Sequence, residues 1–390
     1  MTSATIGAPR RIGLRAKLLA VLVALVVSAG LCELMARAAF TAPPLPGREP
    51  AVLYRIEPGV GFIHAPSQQG WIDDGFVTIN ALGLRGETPA VPKPAGLVRV
   101  LAVGDSTTFG WGVNDNETYV VQLQARLRAA RPGLPVDVVN GGVSGYDLER
   151  DKRLFQHFEP TLKPDVVLIG LLWNDLPYEA ISPDGVAQPG QSASPAAIGE
   201  AGNAEAGSAA ASGRPFRIGN QAPTGLNRLL RQSRLLFVLR HAWLAALAPT
   251  AAANNQVRWE MALLTGQRSR AIDDAWGTLE RTFEDIAAFG KANGVDVGVM
   301  VLPIRAQVEQ SYPQAEFQTR ARAIAERLGL FVVDPLPRFM AEKDRGRLFI
   351  PYDRMHFSAR GNALLADAAF EALARRPALT GSHNDESGGQ

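Results

Sequence analysis

Ser106 stands in Gly104-Asp105-Ser106-Thr107, directly after the strand-like run Val98-Arg99-Val100-Leu101-Ala102-Val103. At a strand-to-helix junction a serine hydroxyl is presented beside the free amides that open the helix. A hydroxyl is a weak nucleophile by itself. It needs a general base within hydrogen-bond reach and a third group to orient that base. The chain has five histidines, and His64, His157, His241 and His383 have no carboxylate three residues before them. His356 does, in Asp353-Arg354-Met355-His356. With Asp353 just ahead on a loop, one imidazole nitrogen can face the carboxylate and the other Ser106. Either fragment alone is weak, since Gly-Asp-Ser is commonly a turn and Asp-x-x-His a pair of surface residues. Their joint placement at strand-to-helix junctions points to nucleophilic catalysis.

The elements that must position these residues follow from periodicity. Besides 98–103, short β-branched-rich runs lie at 136–139, 165–172, 295–302 and 331–333, as expected for strands covered on both faces. Between them a helix is expected near 117–130, stopped by Pro132-Gly133. Ile272, Trp276, Leu279, Phe283 and Ile286 recur at helical spacing, as do Phe317, Ala321, Ile324 and Leu328 before Gly329. This alternation predicts an α/β fold, a parallel sheet with helices on both faces and a site beyond the carboxyl ends of the strands.

On these residues the chain resembles the GDSL or SGNH hydrolase superfamily, through four ordered blocks from about 98 to 373. The blocks are Gly104-Asp105-Ser106-Thr107, Asn140-Gly141-Gly142-Val143-Ser144-Gly145, Leu172-Trp173-Asn174-Asp175 and Asp353 to His356, with Ser358-Ala359-Arg360-Gly361-Asn362 behind the last. The resemblance implies a flavodoxin-like three-layer α/β/α sandwich with a mostly parallel five-stranded sheet. It implies Ser106 as nucleophile, His356 as base and Asp353 as its partner, with the amides of Ser106 and Gly145 and the Asn174 side chain as the oxyanion hole. The family usually carries glycine two residues before the block-three asparagine. Here Leu172 stands there and Gly170 lies two places earlier, which puts the placement of Asn174 in question. Asp105 and Asp175 are read as structural carboxylates bonding loop amides, Thr107 as a helix-start residue, and Trp173 as either pocket lining or packing.

Composition sets the outer bounds. The 390 residues are 46% hydrophobic and 20% charged, as in a globular protein of one large or two modest domains. A formal charge of +2 lacks the concentrated positive charge of a nucleic-acid binder, so no nucleic-acid partner is expected. Cys32 is the single cysteine, which excludes an internal disulfide framework and a multi-cysteine zinc site. The remaining histidines lack ligand spacing and the glycine-rich segments fit no phosphate-binding fingerprint, so no metal and no cofactor is expected.

Arg10, Arg11, Arg15 and Lys17 precede an uncharged run from Leu18 to Cys32, the pattern of an export segment that leaves positive charge in the cytoplasm. Two fates are open: cleavage after Ala36-Arg37-Ala38, or retention as an anchor. Glu33 and Arg37, at i and i+4, can pair on one helix face and carry the helix to Phe40, which favours the anchor. Leu31 before Cys32 argues against lipidation, and Gly13 against a twin-arginine signal. The expected organisation is a stub and signal-anchor helix over 1–40 and an extended lead-in with a strand or two over 41–96. A hydrolase-like domain follows over 97–376, then a disordered tail over 377–390. Within the domain, 187–213, rich in Ala, Gly, Ser and Pro, reads as a disordered linker, and 224–266 as a helical insertion. In the insertion Leu226, Leu229, Leu230, Leu236, Phe237, Leu239, Trp243 and Leu244 alternate with Arg228, Arg231, Arg234 and Arg240. The segment reads as a cap on the core, a helix on an anionic membrane surface or a lid.

The expected function is an exported, membrane-anchored serine esterase acting on O-acyl esters, with O-acetyl groups on glycans as the first substrate class. An O-acetyltransferase using the same acyl-enzyme, and a non-catalytic glycan-binding domain, are the alternatives.

Overall fold

The computed structural model describes residues 13–41, 49–176, 179–181, 187–192, 214–217, 225, 230, 232–251, 255–309 and 314–380. The chain divides into two compact units, Met1–Pro43 with Pro223–Pro249, and Pro44–Ala222 with Thr250–Gln390.

The smaller unit is built on the helix Leu14–Ala39, 26 residues long. At about 1.5 Å per residue it spans roughly 39 Å. No residue of its apolar stretch is buried, and among the described residues it is the one helix long and apolar enough to cross a membrane. Glu33 and Arg37 pair as expected, at 2.7 Å. A second helix, Arg234–Ala251, belongs to the same unit up to Pro249. The insertion expected at 224–266 is therefore divided, because the helix Asn255–Leu264 belongs to the larger unit. Leu226, Arg228, Leu229 and Arg231 lie outside the described residues.

In the larger unit the five expected strands form one parallel sheet in the order Phe331–Val333, Asp296–Val301, Val166–Leu171, Val98–Gly104, Val136–Asn140. Every residue of the central strand Val166–Leu171 and of its neighbour Val98–Gly104 is buried, which requires cover on both faces. The helices Tyr119–Ala130 and Ala359–Leu373 pack on each other, as do Leu148–Leu162 and Arg270–Ala292. The last buries Ile272, Trp276, Leu279, Phe283 and Ile286, the stripe its sequence marks. The helix expected from 117 starts at Tyr119 because Thr118 caps it, its hydroxyl accepting from Val121 N at 3.3 Å, and residues Asp115–Glu117 form a separate turn of 3₁₀ helix.

The lead-in holds more structure than its sequence suggests. Two antiparallel pairs run through it, Leu53–Glu57 with Gly61–His64 and Gln68–Ile72 with Gly75–Ile79. Gly59, at φ 79°, turns the first, and Asp73, at φ 48°, turns the second. Behind them comes Arg85, whose amide donates to Asn140 O at 3.2 Å on the sheet edge. Its buried guanidinium donates to the carbonyls of Phe109, Gly110 and Val113 and pairs with Asp115.

Two boundaries differ from expectation. Residues Ala187–Ser192 of the expected linker form a strand paired antiparallel with Glu179–Ile181, and 193–213 lie outside the described residues. Alternate residues can satisfy their backbone groups in such a pair without burying large side chains. The expected tail begins with a short helix, Pro377–Thr380, because Leu379 is buried in the core; 381–390 lie outside the described residues.

Candidate active site

Three loops at the carboxyl ends of adjacent strands carry the first three sequence blocks. After Val98–Gly104 the chain enters the short helix Ser106–Phe109, capped by Asp105, whose carboxylate accepts from Thr107 N at 2.8 Å. Asp105 is the cap, and Thr107 stands in the first turn of the helix, as a helix-start residue. As the first helical residue, Ser106 has an amide with no partner inside the helix. The glycines beside the helix are set by close approach. A Cβ on Gly142 would lie 2.2 Å from Phe109 N, and one on Gly170 would lie 2.2 Å from Thr108 Oγ1. Asn140 accepts from Gly142 N at 3.0 Å and donates to the carbonyls of Thr108 and Phe109, so the second block grips the end of the helix Ser106–Phe109.

The fourth block lies on a loop closed by two backbone bonds, Asp353 N to Ile350 O and Ile350 N to His356 O, each 3.0 Å. Tyr352, at φ 65°, turns the chain into Asp353. Asp353 Oδ1 accepts from the amides of Met355 and His356 at 2.8 Å each, which leaves Oδ2 for His356 Nδ1, also at 2.8 Å. His356 Nε2 meets Ser106 Oγ at 2.8 Å, across 250 positions of sequence. Ser358 then caps the helix Ala359–Leu373, and Asn362 accepts from Tyr119 N at 3.0 Å, tying the loop to the helix Tyr119–Ala130.

Electrostatics match this geometry. Burial works to raise the Asp353 carboxyl, but the His356 ring and the two loop amides outweigh it and hold it at about 2. Burial works to lower His356, yet its bond and charge contact with Asp353, assisted by Asp105 and Asp73, move it above its ordinary value. His64 is the opposite case. Buried and stacked on Phe109, it is driven down to about 3, chiefly by burial, and stays neutral.

Asn174 stands in a 3₁₀ turn after Val166–Leu171 and its Nδ2 donates to Asp105 Oδ2 at 3.0 Å. Leu172 is fully buried with its amide bonded to Asp175 Oδ2 at 2.6 Å, so the bulkier residue packs inward and the turn still brings Asn174 beside the residue preceding Ser106. Gly145 is buried in the second-block loop at φ 83°. Trp173 is 3% exposed and packs in the core. Asp105 bonds the first-turn amide of Thr107 and Asp175 the loop amide of Leu172, the bonds of structural carboxylates. Asp175 is pushed well above the carboxylate range by burial first, then by Asp105 and Asp151.

Several groups at the site escape sequence reasoning. Trp111 stacks on His356 with ring centres 5.7 Å apart, and its Nε1 donates to Asp73 Oδ2 at 2.7 Å. Glu260, buried on the helix Asn255–Leu264, pairs with Arg354 inside the Asp353–His356 loop. Arg85 fastens the loop after the helix Ser106–Phe109. An aromatic five residues beyond Ser106 was a signal in reach; Asp73, Arg85 and Glu260 have none, because each acts across at least 24 residues of chain. Among the described residues no cluster of His, Cys, Asp and Glu is arranged to hold a metal ion.

No curated protein matches the chain. Among solved structures it is similar to TesA at 15% identity, covering 72% of this chain and 99% of that one with a TM-score of 0.39. It is similar to the acetylxylan esterase Axe2 of Geobacillus stearothermophilus at 18% identity, covering 72% and 95%, TM-score 0.37. A lipase/acylhydrolase from Enterococcus faecalis matches at 14% identity, covering 70% and 94%, TM-score 0.36. The model of the GDSL-like Lipase/Acylhydrolase family matches residues 102–364, a span that takes in all four blocks. The chain therefore belongs to the GDSL-like lipase/acylhydrolase family and is an ester-hydrolysing enzyme.

Proposed function

We propose that Ser106, His356 and Asp353 are the catalytic triad of an exported O-acyl esterase, with the amides of Ser106 and Gly145 and the Asn174 side chain as its oxyanion hole. The observation that carries this reading is the continuous chain Ser106 Oγ, His356 Nε2, His356 Nδ1, Asp353 Oδ2, with 2.8 Å at each link. His356 accepts the Ser106 proton as Oγ attacks the ester carbonyl, and Asp353 holds the ring with Nδ1–H toward the carboxylate and stabilises the imidazolium. Charge moves to the carbonyl oxygen, where the two amides and Asn174 receive it. The intermediate collapses, the alcohol leaves with the proton from His356, and water, deprotonated by the same ring, releases the acid and restores Ser106.

O-acetyl groups on glycans are the substrate class we assign, with the hydrolase domain over about 97–380 and the lead-in as its support. The N-terminal helix is assigned as an uncleaved anchor in the inner membrane. Arg15 and Lys17 at its start, with Arg10 and Arg11 ahead of it, favour a cytoplasmic N-terminus and an exported catalytic unit. The test is acetate release from p-nitrophenyl acetate and from an acetylated oligosaccharide, with and without an unacetylated acceptor. Release needing only water and lost in Ser106→Ala supports the esterase. Transfer to the acceptor makes the protein an O-acetyltransferase, and turnover unchanged in Ser106→Ala refutes the triad.

A further inference from the structure

The N-terminal helix carries an acid where an apolar helix has little tolerance for one. An ionisable group at membrane depth must be paired or hydrogen-bonded. Glu33 is both. Besides Arg37, its carboxylate accepts from Ser233 Oγ at 2.8 Å, Arg234 N at 2.9 Å and Leu235 N at 2.8 Å. These amides open the helix Arg234–Ala251, so a side chain from one helix caps the other, in the manner of an acidic N-cap. Arg37 adds a bond to Gln232 O.

Among the described residues, the capped helix carries an exposed apolar face. Leu236, Leu239 and Trp243, at steps of three and four, are 41%, 55% and 67% exposed, and Leu230 before them is 45% exposed. Arg240 falls on the same face and is exposed, where a long stem lies along apolar surface with its head in water. Along the sequence the charge has one sign. From Glu205 to Glu260 the chain has arginines and no intervening acidic residue. An apolar stripe with Trp, in an arginine-rich stretch of sequence and joined through Glu33 to an exposed apolar helix, matches the interface of an anionic bilayer.

We propose that the helix Arg234–Ala251 is a second membrane element, lying in the anionic lipid interface with Leu236, Leu239 and Trp243 toward the acyl chains and pinned to the N-terminal helix by Glu33. The proposal rests on the anchor reading of that helix, and is independent of the esterase reading. It gives the protein two lipid contacts, one crossing and one lying flat, from segments about 200 residues apart in sequence.

The full chain is reconstituted into vesicles of phosphatidylethanolamine and phosphatidylglycerol containing spin-labelled lipid, and a polarity-sensitive fluorophore is placed on single cysteines. Native Cys32 reports the anchor. In a Cys32→Ser background, Leu239→Cys and Trp243→Cys report the second helix, and Lys343→Cys is the aqueous control. We expect blue-shifted emission with at least twofold lipid quenching at 32, 239 and 243, and neither effect at 343. Quenching at 32 with 239 and 243 behaving like 343 overturns the second element and spares the anchor. No quenching at 32 overturns the anchor and the proposal with it. A blue shift at 239 and 243 without lipid quenching means a protein partner, such as a second copy, and also overturns it. Glu33→Gln should lower quenching at 239 while ester hydrolysis persists; unchanged quenching removes Glu33 as the pin.

Discussion

Replacing Asp353 by asparagine isolates one feature of the site. The asparagine keeps an oxygen for the amides of Met355 and His356, which Oδ1 bonds at 2.8 Å each, and puts an NH2 donor in place of the charged oxygen facing Nδ1. In the folded chain the carboxyl lies at about 2 against an ordinary 3.8. At about 1.4 kcal/mol per tenfold change in proton affinity, that difference is roughly 2.5 kcal/mol of preference for the ionised form. That net value also contains the opposing burial and the two amide bonds that asparagine keeps, so it gives the direction of the loss to the forming imidazolium: kcat/KM falls. An inverted ring tautomer, with Nε2 protonated and unable to accept from Ser106, can take the loss to about 10⁴-fold. Asp353→Asn should therefore lower kcat/KM for p-nitrophenyl acetate at neutral pH by about 10² to 10⁴. It should also shift the acid limb of the pH profile downward, because the ring loses the charge that raises it. Stability follows from the lowered carboxyl. The wild-type advantage, at most about 2.5 kcal/mol, is full above the unfolded value and disappears as pH falls through 3.8 toward 2. Urea titrations across that range read it directly. A loss in kcat/KM below tenfold together with an unmoved acid limb would refute the assignment of Asp353.

Other expectations follow from the same geometry. Asn174→Ala should lower kcat by more than tenfold, toward the ~10²–10³ typical of a lost oxyanion donor, with KM little changed; an unaffected rate would mean that its bond to Asp105 is all it does. Asp73→Asn should move the acid limb of kcat/KM to lower pH, because Asp73 helps to raise His356; a titration series settles the direction. Gly142→Ala forces a Cβ to within 2.2 Å of Phe109 N, so the nucleophile helix must shift, and both Tm and turnover should fall. Arg85→Ala strips three carbonyls and Asp115 of a buried partner and should cost about 3–5 kcal/mol in chemical denaturation.

The sheet was legible because its strands are short, β-branched and buried on both faces, a pattern that survives without long-range information. All five appear within two residues of where the sequence marks them. The Ser106, His356 and Asp353 constellation was legible for another reason: each lies in a short local pattern whose order along the chain is distinctive. What stayed hidden acts at distance. Arg85 binds carbonyls 24 to 28 residues away, and Glu260 reaches Arg354 across 94. The hairpin that brings Asp73 to Trp111 is turned by a non-glycine residue in the left-handed region, which composition does not announce. Likewise Leu172, read as a threat to Asn174, packs inward because Asp175 holds its amide.

The central claim is that Ser106 is the nucleophile, and active-site labelling tests it most directly. Purified full-length protein is treated with a fluorophosphonate and its peptides are mapped by mass spectrometry. We predict one stoichiometric adduct on Ser106, formed in step with loss of ester hydrolysis, strongly slowed in His356→Ala and absent in Ser106→Ala. An adduct on another residue that accompanies inactivation, or full inactivation with Ser106 unmodified, would contradict the account.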